Sequence, residues 1–210
     1  MDLVTREGDR CEMDSHADTT TGGSNFELVY DTGQRVEVSP FSEEYEALQD
    51  IPIGTGVTAY DCPKSGTTYL LVFHQMMYFG ERLGVSLICP NQIRSHGHKV
   101  QDTPTQYDAN SAHAILTEQV AGDGLELEIK LTLEGVISRK PSSKELQDCP
   151  RITMTSDEQW DPHDASFADE ERRVSALILA HQTKRVARFS IKKDRSLHYP
   201  SLMMDYSTLD

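Results

Sequence analysis

The chain has little positive charge for its length. Its 210 residues include 20 Lys and Arg against 34 Asp and Glu, which gives a formal net charge of −14. Nucleic-acid binding depends on Lys and Arg contacts to phosphate, so this balance argues against a direct nucleic-acid binder. The one basic stretch, residues 181–195, is too short to reverse that conclusion.

Long apolar runs and paired cysteines are also absent. No run reaches the roughly 18 apolar residues that suggest a membrane-spanning helix, and the charged N-terminus lacks the apolar segment of a secretory signal. The cysteines are scattered without a C-x-x-C pair: Cys11, Cys62, Cys89 and Cys149. We therefore expect reduced thiols, a cytoplasmic location, no disulfide framework and no membrane partner.

Residues 26–100 are dominated by short strand patterns. Segments rich in β-branched and aromatic residues, such as "FELVY", "RVEVS", "VTAYD" and "TYLLVFHQMMYF", alternate with turn signals. The "PKSG" turn at 63–66 predicts a hairpin between two of them. Helical turns are predicted at 39–50 and at "PNQIRSHG", residues 90–97. This pattern indicates a mainly β domain.

The second half of the chain mixes strand and helix signals. Residues 102–112, "DTPTQYDANSA", are polar and turn-rich and are expected to link an N-terminal domain at 10–105 to a C-terminal region at 106–210. A strand pair is predicted at 113–120 and 125–139, followed by a short helix at 142–149 and a longer helix at 166–184. The prediction for this region is a mixed α/β, partly disordered extension of unknown function.

Two segments carry an aspartate followed by a hydroxyl residue. Asp31-Thr32-Gly33 follows an apolar strand, as the Asp-Thr/Ser-Gly signature of aspartic peptidases does, but Asp and Gly are also ordinary hairpin residues, so a plain hairpin is favoured there. Asp14 is followed by Ser15 and, in place of Gly, by a histidine. Aspartic peptidases use two carboxylates that share one proton, so a chain with one motif has to dimerise.

The order of motifs resembles that of a known family. "MDSHADT", "IPIGTGV" and "LLVFHQMMYFGERLGVSLICPNQIRSHGHKV", within residues 11–101, are similar to the protease region of copia-type LTR retrotransposon polyproteins. The "DSHADT" form and the later "TSDEQWDPHDASF" resemble a subgroup from algae and diatoms. The resemblance implies a retropepsin-like closed β-barrel, a homodimer without a cofactor or metal, and hydrolysis of peptide bonds in the parent polyprotein.

Spacing selects Asp14 over Asp31. Forty positions separate Asp14 from Gly54, which leaves room for the two strands of the family pattern, whereas Asp31 precedes Gly54 by 23 positions. The resemblance assigns Asp14 to the dyad, Ser15 to its support, and Gly54, Thr55 and Gly56 to a mobile flap. Asp31, Thr32 and Gly33 remain the less favoured alternative site.

The residues after Ser15 are expected to modulate the site. His16 replaces the usual Gly, and an imidazolium beside a carboxylate pair favours the ionised carboxylates. Ala17 is expected to pack behind the dyad, with Asp18 as its neighbour. Because two imidazoles would face each other in a dimer, the alternative function is a catalytically inactive module that serves in dimerisation or scaffolding.

Three further sets of residues carry weaker signals. His96 and His98, with Cys89 or Cys62, match no usual zinc spacing, so an exposed loop is favoured over a metal site. Cys11 and His16 could form a thiol and base, but a bystander thiol is the better interpretation. Trp160, the only tryptophan, is interpreted as a packing residue of the C-terminal segment.

Overall fold

The computed structural model describes residues 10–39, 46–117, 126–164, 172–173 and 175–180. The chain divides into two compact units, residues 1–162 and residues 163–210. The strands described in the first unit are β1 (Arg10–Met13), β2 (Thr21–Gly22), β3 (Glu27–Val38), β4 (Leu48–Asp61), β5 (Thr68–Tyr78), β6 (Ser86–Ile88), β7 (Lys99–Gln101), β8 (Ala114–Leu116), β9 (Glu128–Lys130), β10 (Gly135–Ile137) and β11 (Arg151–Thr153). The helices are α1 (Pro90–Ser95) and α2 (Ser143–Asp148), and Gly80–Arg82 forms a 3-10 turn.

Most of the described strands belong to one sheet. Its order is β10–β1–β6–β2–β5–β4–β3, and β11 pairs with β5 beside this path. The pairs β1–β6, β2–β5 and β5–β11 are parallel, while the other neighbours are antiparallel. A smaller antiparallel sheet contains β7, β8 and β9 in that order. The prediction of a mainly β fold is therefore confirmed.

The main sheet does not close into a barrel. Among the described residues, one isolated bridge links β4 to the chain just after β10: the Ala59 N–H donates to the Arg139 carbonyl oxygen at 2.8 Å, and Arg139 returns a bond of 3.0 Å. A single bridge is less than the continuous ladder of a closed barrel. The predicted closed barrel is thus not confirmed. β3, the last strand in the order, pairs with β4 and forms one edge of the sheet.

Turns and helices follow their local signals closely. The Pro63–Gly66 segment joins β4 and β5 as predicted, with Gly66 at φ +69°. The helix α1 ends at Ser95, and Gly97 just after its cap has φ +100° and donates to the Arg94 carbonyl oxygen. The helix α2 begins with a capping box between Ser142 and Glu145. Part of the predicted helical turn at 39–50 lies outside the described residues, and Leu48–Asp50 belong to β4.

The predicted hairpin at Asp31–Gly33 is wrong. "FELVY" and "RVEV" are parts of the single strand β3, which pairs with β4 on both sides of an irregularity between Asp31 and Arg35. Gly33 has φ +80°, a conformation that permits a β-bulge, and the strand continues on the other side of this bulge. β3 ends at Val38 and β4 begins at Leu48, and residues 40–45 between them lie outside the described part of the chain.

The chain does not divide at 105/106. The strands β10 and β11, from the predicted C-terminal region, pair with β1 and β5 of the predicted N-terminal domain. Residues 102–112, most of them exposed, connect β7 to β8, and the predicted strand pair exists as β8 and β9. Pairings over such distances leave no local signal in sequence, which is why a polar connection resembled a linker.

The main core cluster combines side chains of the main sheet, such as Leu71 of β5, with Ile115 of the smaller sheet. Its fully buried large side chains include Phe26, Phe73, Met76, Ile93 and Ile129, and the Phe26 and Phe73 rings meet edge to face with centroids 5.6 Å apart. In the second unit, residues 172–173 and 175–180 are helical, inside the helix predicted at 166–184, and the rest of that helix lies outside the described residues. None of the helices in the described ranges is long and apolar enough to cross a bilayer.

Candidate active site

The aspartate favoured by the sequence lies at the end of β1. The Asp14 N–H donates to the Ile88 carbonyl oxygen at 3.1 Å, which extends the parallel pairing of β1 with β6. Ala17 then donates to the Asp14 carbonyl oxygen at 3.2 Å and closes a β-turn, here called the Asp14 turn (residues 14–17). Two strands therefore position the backbone that carries this carboxylate.

The carboxylate of Asp14 is both oriented and accessible. Its Oδ1 accepts a hydrogen bond from the His16 backbone N–H at 2.9 Å, an Asx-turn contact that fixes the direction of the side chain. The side chain is 39% exposed. Sequence reasoning assigned this support to the Ser15 hydroxyl, but that hydroxyl lies 3.4 Å from His16 Nδ1 and is exposed. The backbone supplies the support to the carboxylate.

His16 lies at the tip of the turn. Its side chain is 95% exposed, and its Nδ1 is 3.8 Å from Asp14 Oδ1, close enough for an ion pair when the imidazole is protonated. Among the described residues, those other than glycine with positive φ are Asp50, Gln75 and His113, so His16 sits in a conformation open to any side chain. Within one chain nothing at this turn requires glycine.

The chain beyond the turn is fixed at two points. The Asp18 carbonyl oxygen accepts a hydrogen bond from Trp160 Nε1 at 2.8 Å. The Thr20 N–H donates to Gln92 Oε1 at 3.1 Å, and Thr20 Oγ1 accepts from the Cys89 N–H at 3.2 Å. Thr20 and Gln92 are buried. These contacts, which sequence reasoning missed, connect the segment after Asp14 to α1 and to residues near the end of the first unit.

A cavity opens beside the Asp14 turn. It measures about 190 Å³, and Met13 and Ser15, the two neighbours of Asp14, both line it. The β9–β10 connection also lines it, and there the Met13 N–H donates to the Glu134 carbonyl oxygen at 2.9 Å and the Thr132 N–H donates to the Gly135 carbonyl oxygen at 2.7 Å. Pockets for drug-sized ligands measure about 300–1,000 Å³, so this space suits one amino-acid side chain.

The alternative aspartate has a different setting. Both carboxylate oxygens of Asp31 accept hydrogen bonds from Arg35, at 2.8 and 2.9 Å, and Oδ1 also accepts from the Gly33 N–H at 2.8 Å. These bonds, with that of Arg35 the strongest, hold the pKa of Asp31 below its ordinary value. The hydroxyl of Thr32 donates to the Ile53 carbonyl oxygen at 2.6 Å. All three residues stabilise the bulge in β3.

The glycines predicted as a flap lie inside β4. Gly54 pairs with Asp31 of β3 and Met76 of β5, and Thr55 is 8% exposed. A Cβ at Gly54 would collide with the Tyr30 carbonyl oxygen, so close backbone approach explains this glycine. The structure therefore places Gly54, Thr55 and Gly56 in the body of the β3–β4 hairpin, away from its turn. Thr55 Oγ1 meets His74 Nδ1 at 2.9 Å there.

The weaker sets of candidate residues do not converge on a site. His98 is buried, and its Nε2 lies 2.7 Å from the Thr153 carbonyl oxygen, so the exposed loop predicted around it is wrong. The Cys11 thiol is buried against Ser138 Oγ at 3.1 Å, and burial raises its pKa to about 11. Across the part of the chain that the structure describes, no three His, Cys, Asp or Glu side chains are grouped to hold a metal ion.

Comparison with protein-family models, with curated proteins and with solved structures found no match to this chain. Any function therefore has to be argued from the geometry of its own residues.

Proposed function

We propose that this chain is an aspartic endopeptidase whose dyad is formed by Asp14 from two copies of the protein. One observation carries the proposal: an oriented, accessible carboxylate projects from a turn held by β1 and β6, beside a cavity large enough for one side chain. Because a single chain supplies one such turn, the active form is a homodimer that brings two turns together.

The chemistry requires two carboxylates about 3 Å apart that share one proton. The ionised carboxylate takes a proton from water as the water oxygen bonds to the peptide carbonyl carbon, and the protonated one donates its proton to the carbonyl oxygen. Collapse of the tetrahedral intermediate breaks the C–N bond: the amine nitrogen takes the proton that the first carboxylate removed from water, and a hydroxyl of the intermediate returns its proton to the second carboxylate. In this chain the His16 N–H fixes the orientation of Asp14 so that the second oxygen can meet its partner.

The proposed substrate is an extended segment of the parent polyprotein, with one side chain in the cavity lined by Met13 and Ser15. A cytosolic setting is part of the proposal, and Cys11, Cys62, Cys89 and Cys149 are free thiols, as a reducing compartment requires.

A catalytically inactive dimerising module is the second candidate. The fully exposed imidazole of His16 favours it, because two copies of the turn in contact would bring two such side chains against each other. The same turn would then supply a contact surface without completing a dyad.

Cleavage of a mixed peptide library from about pH 4 to about pH 8, which spans the upper pKa of a shared-proton dyad and that of an imidazole, tests the proposal. Asp14→Asn keeps an oxygen to accept the His16 N–H and should fold normally yet lose cleavage. Asp31→Asn is the matched control and should retain cleavage. A folded dimeric wild type that cleaves nothing would favour the inactive module.

A further inference from the structure

The segment after β11 crosses from β5 to Asp18, the residue that follows the Asp14 turn. Met154 donates its N–H to the Val72 carbonyl oxygen at 2.8 Å, and Thr155 Oγ1 both accepts from the His74 N–H at 2.8 Å and donates to the His74 carbonyl oxygen at 2.9 Å. Met154 and Thr155 are fully buried. Residues 154–160, here called the strap, are therefore fixed to β5 at their beginning.

The strap remains attached along its length. Gln75 Nε2 donates to the Asp157 carbonyl oxygen at 3.1 Å, and the strap ends with the Trp160 indole N–H on the Asp18 carbonyl oxygen at 2.8 Å. Asp18 lies four positions after Asp14. The strap thus connects the centre of the main sheet to the segment that carries the candidate catalytic carboxylate.

A second connection runs between the same two places. Gln92 accepts from the Thr20 N–H and donates through Nε2 to the carbonyl oxygens of His74 and Gln75, at 3.3 and 3.2 Å. The strap and the Gln92 side chain therefore both link residues 74–75 to residues 18–20. Gln75 has φ +52°, a conformation that costs free energy for a residue with a side chain and persists where surrounding contacts impose it.

We propose that Trp160 is a positioning residue, which fixes the Asp14 turn through its indole N–H on Asp18. The effect of Trp160 on the reaction rate rests on the proposed function, whereas its effect on the position of the Asp14 turn does not. Displacement of a catalytic group by about 1 Å can lower a rate by roughly 10²-fold, so a hydrogen bond four residues from the dyad can control the rate constant of the chemical step without contacting substrate.

If Trp160 had only a packing role, removal of its indole N–H would have a different result. If only the volume of the indole mattered, a side chain of the same shape without an N–H would leave the turn and the rate unchanged. Because Trp160 is the only tryptophan in the chain, growth of a tryptophan auxotroph on 3-benzothienylalanine replaces this residue alone with such a side chain. Trp160→Phe is the genetically encoded counterpart.

Amide hydrogen exchange over residues 14–20 gives a readout that needs no activity. A net hydrogen bond changes an opening equilibrium by up to about tenfold, so the benzothienyl form should exchange several-fold faster there, with residues 57–61 of β4 unchanged as an internal control. Exchange equal to that of wild type would overturn the inference.

Steady-state kinetics adds the second readout. The benzothienyl form should lose about tenfold or more in kcat with KM nearly unchanged, since the substrate-binding surface remains. A change confined to KM would overturn the positioning role in favour of direct substrate contact. Faster exchange in a protein that never cleaves peptide would support the contact with Asp18 and count against the proposed function alone.

Discussion

The Asp14 N–H and the Ile88 carbonyl oxygen are joined by a hydrogen bond of 3.1 Å, one residue beyond the last parallel pair of β1 and β6. This bond places the start of the Asp14 turn on the sheet itself, and the contacts to residues 18 and 20 fix its far end. The candidate carboxylate therefore sits on a short, doubly held segment, which is the arrangement that a catalytic group needs.

Gly54→Ala tests whether this residue belongs to a strand or to a mobile flap. A Cβ there would collide with the Tyr30 carbonyl oxygen and lie 2.7 Å from Leu28 Cδ1, so the free energy of unfolding should fall by about 1–3 kcal/mol in urea titrations. Gly84→Ala, where a Cβ meets no atom within 4 Å, is the matched control and should change it by less than about 0.5 kcal/mol. Equal stability of the two variants would contradict the strand assignment.

Glu145→Gln tests the pH dependence of stability. Hydrogen bonds from Arg139 and then from Ser142 lower the pKa of Glu145 from its ordinary 4.5 to about 2. Because the folded pKa is the lower one, its contribution to stability is complete above pH 4.5 and is lost as the pH falls towards 2.

At neutral pH the Gln variant should lose about 1 kcal/mol, because Gln keeps the capping box but lacks the charge that pairs with Arg139. The difference in unfolding free energy between wild type and variant should then shrink as the pH is lowered through this window. Urea titrations at several acidic pH values measure it. A difference that stays constant down to the lowest pH would show that the ionised carboxylate of Glu145 is not what stabilises α2 and Arg139.

His16→Gly tests whether two turns meet at this residue. The exposed side chain makes few contacts, so stability should fall by no more than about 1 kcal/mol, the entropic cost of glycine. If the two His16 side chains hold the Asp14 carboxylates apart in the dimer, the variant should cleave peptide several-fold faster. His16→Leu, which keeps a large side chain there, should not. Equal kcat/KM for all three proteins would mean that the two turns do not approach each other at position 16.

Local signals in the sequence were sufficient for the short elements. The Ser142–Glu145 capping box, the Pro63–Gly66 turn and Gly97 each predict a helix start, a hairpin or a helix end from a few neighbouring residues, and each lies where predicted. In contrast, the Asp31–Gly33 triplet has an equally strong local turn signal, yet β3 continues through the triplet because it pairs with β4 on both sides. Local preference decides only where long-range pairing does not oppose it.

The candidate site depends on long-range contacts that no local pattern encodes. Spacing and resemblance pointed to Asp14, but its support by the His16 backbone arises from the turn itself, and the Trp160–Asp18 contact joins residues 142 positions apart. The cavity wall is formed by the β9–β10 connection, which the sequence suggested lay in another domain. These contacts exist because β10 and β11 return to the main sheet.

A subunit-mixing experiment tests the central claim, that one dyad contains Asp14 from two chains. Wild type and Asp14→Asn are unfolded together in equal amounts, refolded, and assayed for peptide cleavage against wild type at the same total concentration. If both chains must supply the aspartate, random pairing in a symmetric dimer leaves about one quarter of the activity. A value of about one half, as expected for a site complete within each chain, would contradict the account.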